Sequence, residues 1–225
     1  MHIPSDQLLT DYGVYDVDLG PYVYGLRNSQ GADTRFTVFA APTATFWGFD
    51  KPPALVSSST DPRHQGWEIE RFLRLVLTGD PHAVECLWSP TVHTSNDIGE
   101  GLLTLRPHLV SRVVYRTFLA EANTQVDRLG SHTDAIDYHR AASMLRLLLS
   151  VEQLLRTGEP LLRTDSYRNQ LLSVQKGNVS WSQIRRWRDD LTVAAQDALS
   201  RTVLPQQGDR EVADRFLVEV RRRMV

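Results

Sequence analysis

The hydrophobic period of the chain changes once, near Trp67, and this limits the folds open to it more than any other feature. Upstream, apolar and polar residues partly alternate between Tyr12 and Leu19, and Phe36-Thr37-Val38-Phe39 is rich in strand formers. A period near two marks a strand with one face on a core. Between these segments lies a turn-forming stretch from Gly20 to Asp33, and Pro42, Lys51-Pro52-Pro53 and Ser57-Ser58-Ser59 mark further loops. Downstream, Ile69, Phe72, Leu73, Leu75, Val76 and Leu77 recur at helical spacing until Gly79-Asp80-Pro81, a glycine cap followed by a proline that cannot continue the helix. Further helices are expected over 111–129, over 135–157 with Gly158 as its stop, from Ser180, where Gln183 completes a capping-box pattern, and from Arg210 onward. The expectation is an α/β (α+β) protein with a strand-bearing front, residues 1–105, and a helical C-terminal region, residues 106–225.

Composition removes several classes. At 225 residues, 41% hydrophobic and 23% charged, the chain has the make-up of a folded domain rather than of a disordered or collagenous one. No apolar run approaches the ~20 residues of a bilayer crossing. The opening Met1-His2-Ile3-Pro4-Ser5-Asp6 has neither the basic patch nor the apolar run of a secretory signal, so a cytoplasmic location without membrane attachment is expected. Cys86, the single cysteine, is flanked by Val84 and Leu87 and reads as a buried small hydrophobe. A net charge of −2 advertises no polyanionic partner. Neither G-x-x-x-x-G-K-[ST] nor G-x-G-x-x-G occurs, and no H-E-x-x-H, cysteine cluster or G-x-S-x-G elbow is present.

Gly20-Pro21-Tyr22-Val23-Tyr24-Gly25-Leu26, followed by Gly31-Ala32-Asp33-Thr34-Arg35-Phe36-Thr37-Val38-Phe39, resembles the core of the DNA polymerase β-like nucleotidyltransferase superfamily. More narrowly it is similar to the RNA-repair-pathway predicted nucleotidyltransferases, whose pattern is G-S-x-x-Y-G-L, a turn, then S-D-x-D-x-R-G-V-F. Arg71 to Glu85, Tyr115 to Leu119 with Gln125, Met144 to Gly158, and Leu204-Pro205 with Asp209 match later blocks of that family in order. The resemblance implies a nucleotidyltransferase-like mixed sheet and transfer of a nucleotidyl group from a nucleoside triphosphate with Mg²⁺. It also assigns Gly20, Tyr24 and Gly25 to nucleotide contact, with Arg146 as a further candidate.

The chemistry of that site depends on carboxylates converging on metal ions ~3.5–4 Å apart, and D-x-D on a strand delivers two to one face. Here the two aspartate positions fall on Ala32 and Thr34, and the serine of G-S is Pro21, which has neither hydroxyl nor N–H. Slipping by one residue makes Asp33 the first carboxylate but places the cation Arg35 second. Asp33 is the candidate for a lone base, its alternative being a turn residue entering the strand. Asp16 and Asp18 form another i, i+2 pair, ahead of the turn rather than after it, and read as a solvated face. Impaired or lost catalysis is therefore expected, with the fold kept as a nucleotide- or RNA-binding module or for a protein partner. Arg146, inside the apolar run from Leu145 to Leu149, calls for an ion-pair partner or a ligand. The basic segments at Arg185-Arg186 and Arg221-Arg222-Arg223 are explained by solvation and by cations at a helix C-terminus, or by nucleic-acid contact.

Overall fold

A computed structural model describes residues 3–26, 32–127 and 137–225. The front is a five-stranded mixed sheet in the order β3-β4-β2-β1-β5, formed by β1 (Gly13–Leu19), β2 (Thr34–Phe39), β3 (Leu55–Ser57), β4 (His64–Glu68) and β5 (Val92–Ser95). β1 and β2 pair antiparallel with Val17 opposite Phe36, while β2 and β4 run parallel with Val38 beside Trp67. Trp67 thus closes a strand, and the helical period begins two residues later in α2 (Ile69–Leu77). The strands β3 and β5 are short edges whose residues are mostly exposed, which is why no alternating apolar pattern announced them.

The two faces of the sheet are covered unequally. On one, α1 (Ser5–Asp11) sets Leu8 and Leu9 against Phe39, Ala41 and Val56. A Cβ on Gly66 would stand 2.3 Å from the Leu9 side chain, so only a glycine lets α1 lie this close to β4. On the other face Tyr15, Val17, Leu19, Phe36 and Val38 join one hydrophobic cluster that continues through the helices to Val220. The helices after α2 are α3 (Pro81–Cys86), α4 (Asp97–Thr104), α5 (Arg106–Leu109), α6 (Val114–Asp127), α7 (Tyr138–Thr157), α8 (Arg168–Gln175), α9 (Trp181–Arg201) and α10 (Arg210–Arg223). No helix among the described residues is long and apolar enough to cross a membrane.

Local chemistry sets the element ends. Gly79 adopts a φ of +76°, and Asp80 caps α3 by accepting from the Ala83 N–H at 3.0 Å with Pro81 in the first turn. Ser180 and Gln183 form a complete capping box at α9. The ends expected at Leu129 and Ala135 lie outside the described residues. Cys86 is fully buried, and burial pushes its thiol well above the ordinary range.

The pair read as a solvated face is corrected by the sheet. Asp16 is 6% exposed, and Arg35 on β2 binds it through Nε at 2.9 and 3.0 Å as well as through Nη2. Asp18 pairs with His93 of β5 at 2.8 Å. Both carboxylates are consumed by cross-strand partners, because β2 and β5 flank β1 and bring a basic side chain to each. Arg221 also departs from a plain C-terminal cation. Its guanidinium pairs with buried Glu68 at 2.7 Å and covers the Phe46 ring at 4.1 Å, tying α10 to the junction of β4 and α2.

Candidate functional site

One cavity of about 280 Å³ opens where the Gly20 turn and the start of β2 face α3, α6, α7 and α8. Gly20, Tyr24 and Arg146 line it together, so three of the residues singled out in the sequence converge. The cavity also takes in Thr34 and Phe36 from β2, Glu85 from α3, and Glu121 and Gln125 from α6. Gly25 belongs to the same turn, at a φ of +74°, but its carbonyl points away to accept from Arg168 Nε at 2.8 Å. Ala32 is exposed just ahead of β2.

The turn is closed on itself. The N–H of Tyr24 donates to Gly20 O at 2.9 Å, that of Gly25 to Tyr22 O at 3.0 Å and that of Leu26 to Pro21 O at 2.7 Å. Asp33, the candidate base, accepts the Tyr22 N–H through Oδ1 at 2.8 Å. Gly20 adopts a φ of +151°, and a Cβ there would lie 2.5 Å from Asp33 Oδ1 and 2.7 Å from Asp33 Cα. Asp33 thus buttresses the turn by its bond to Tyr22 and its close approach to Gly20.

At the back of the cavity a buried network joins three elements. Glu85 Oε1 accepts from Arg146 Nη1 at 2.6 Å and from Ser150 Oγ at 3.1 Å, and its Oε2 accepts from the Tyr24 hydroxyl at 2.9 Å. The guanidinium of Arg146 also lies 3.9 Å from the Tyr24 ring centre. Burial, above all, pushes the Tyr24 phenol well above its ordinary range, with Glu85 adding to the rise and Arg146 opposing it. Tyr24 is accordingly a neutral donor. For Arg146, burial works against the charge, but Glu85 and then Tyr24 outweigh it and hold the guanidinium charged. Sequence reasoning demanded a partner for Arg146 and missed Glu85. The available signal was a second charged residue among Val84, Cys86 and Leu87, as anomalous there as Arg146 is among leucines. Glu121, which accepts from Gln125 Nε2 at 2.7 Å, was also missed; nothing in its own neighbourhood of the sequence distinguishes it from a solvated helix residue.

The donors do not fit a two-metal clamp. Thr34 offers a neutral hydroxyl, Glu85 is neutralised by Arg146 and engaged by two further donors, and Glu121 is the remaining carboxylate of the lining. Among the described residues, no group of three His, Cys, Asp or Glu side chains is placed to hold a metal ion. A single carboxylate competes poorly with water for a hard cation.

A mixed sheet with a glycine turn feeding its second strand, backed by helices that close a cleft over that turn, is consistent with a nucleotidyltransferase-like α/β fold. A family model described as the RNA repair pathway DNA polymerase beta family matches residues 13–219, and the chain belongs to that family. No curated protein and no solved structure matches the chain.

Proposed function

We infer that this chain uses the family's cleft for binding and has lost metal-dependent nucleotidyl transfer. The observation that carries this reading is the donor set around the Gly20 turn. The strand positions that would deliver two carboxylates hold Ala32 and Thr34, and the one fully buried carboxylate of the cleft is bound to Arg146. Two-metal catalysis needs negative charge that outweighs local cations at the point where the triphosphate sits. Here the strongest charge of the lining is cancelled inside the protein before any ligand arrives. The remaining features are those of a binding pocket, in which an apolar wall carries a few fixed polar groups.

The test is a pyrophosphate-release assay with each nucleoside triphosphate and Mg²⁺ or Mn²⁺, run beside calorimetric titration of the same nucleotides with and without metal. The expected result is no pyrophosphate above the protein-free control and no gain in affinity on adding metal. Metal-dependent tight binding with turnover refutes the reading.

A further inference from the structure

We propose that the cleft admits an uncharged heterocycle, a free nucleobase or a nucleoside, and refuses its phosphorylated forms; this deepens the reading above and rests on it. The first reason lies in the turn. A backbone nest holds a phosphate by offering several convergent N–H groups. Here Pro21 has none, and of the other N–H groups of the turn those of Tyr22, Tyr24, Gly25 and Leu26 are donated to acceptors of the protein itself. One of those acceptors is a carboxylate, so Asp33 already places a negative charge against the turn.

The second reason is the charge of the lining. Among the described residues Glu85 and Glu121 face the cleft with Arg146 as the one guanidinium, and that guanidinium is bound to Glu85. Among the described residues no lysine and no second arginine lines the cavity, and His82 is its other basic side chain. Among the described residues a phosphate chain would meet no unpaired lysine or arginine, and an anion buried without a partner is strongly disfavoured.

The remaining surface suits a neutral ring. Leu19, Leu26, Leu147 and the Phe36 ring make the apolar wall, and Phe36 is held by Trp67 stacked on it at 4.7 Å and 8°. Thr34, Gln125 and Ser143 supply uncharged donors and acceptors. At about 280 Å³ the space lies just below the ~300–1,000 Å³ range of small-molecule sites, a size that suits one ring system with its sugar and little more.

The experiment is calorimetric titration of the full chain in EDTA with the four ribonucleosides, their free bases and the matching 5′-triphosphates. At least one base or nucleoside should bind, with its triphosphate at least tenfold weaker. Leu147→Trp, checked for an unchanged circular dichroism spectrum, should abolish that binding by filling the wall. Asp33→Asn, which keeps an acceptor for the Tyr22 N–H, should narrow the gap between nucleoside and triphosphate severalfold. A triphosphate that binds without metal as tightly as its nucleoside overturns the proposal, as does a panel in which nothing binds at millimolar concentration, or binding indifferent to Leu147→Trp in the folded protein. Triphosphate binding without turnover sinks this proposal alone; pyrophosphate release sinks the reading beneath it.

Discussion

Arg146 of α7 and Glu85 of α3 meet at 2.6 Å with side chains 8% and 1% exposed, and this pair stands between the sheet and the helical region as the back wall of the cleft. A charge so deeply buried is tolerable only while its partner stays in place. Arg146→Met should cost about 3–5 kcal/mol in urea denaturation, because Glu85 is left charged and short of its strongest donor. Adding Glu85→Gln to that variant should recover part of the loss, since a neutral amide carries no unpaired charge and can accept from one of the Ser150 and Tyr24 hydroxyls while donating to the oxygen of the other. Equal destabilisation of single and double variants would show that the pair is not coupled.

Gly20→Ala tests the buttress. The added methyl meets the Asp33 carboxylate and backbone at a φ that side chains rarely adopt, so a loss of about 1–3 kcal/mol is expected. Unchanged denaturation midpoints would mean that the turn relaxes freely. Gly48, which has nothing within 4 Å of its virtual Cβ, should accept alanine within about 0.5 kcal/mol and serves as the control.

His64 gives the fold a pH dependence. Its Nε2 lies 2.7 Å from the buried Thr37 hydroxyl, and its pKa is below the ordinary value of about 6.5, first because of burial, with Arg35 lowering it and Asp16, Asp61 and Asp6 opposing. The folded state therefore binds this proton less readily than the unfolded state. Its contribution is present above about pH 6.5 and is lost as pH falls through the lower folded value. The melting temperature should drop on acidification across that window, and His64→Gln should flatten the profile. Identical slopes in the two proteins would remove His64 as the cause.

Ala32→Asp with Thr34→Asp should return two carboxylates to one side of the chain entering β2. Binding of Mn²⁺, followed by electron paramagnetic resonance, should strengthen at least tenfold over the parent protein. No gain would mean that Asp33 and Pro21 have rebuilt the turn too far for the metal site to re-form.

What the sequence disclosed and what it hid divide along physical lines. Caps and stops are local, so Gly79-Asp80-Pro81 and the box at Ser180 were readable from a few consecutive residues. The apolar stripes carried α2, α6 and α7 for the same reason. Arg146 announced itself by contrast with its leucine neighbours, but its partner is 61 residues away and only the packing of α3 on α7 decides that they meet. Asp16 misled because an acidic residue on a strand normally faces water; Arg35, brought alongside by the pairing of β1 with β2, reverses that. The short edges β3 and β5 and the five-residue β4 carry too little pattern to register, since their hydrogen bonds are to neighbours distant in sequence.

The clasp of Arg221 on Glu68 and Phe46 bears on how the molecule is born. Thr43 reinforces it, its N–H donating to Met224 O at 2.9 Å and its hydroxyl to Arg221 O. A nascent chain emerging from the ribosome presents the strands before α10 leaves the exit tunnel, so Glu68 waits without its cation until Arg221, 153 residues later, follows. The front is thus locked only once α10 has been made, and a product truncated before it would carry an open seam for quality control to recognise.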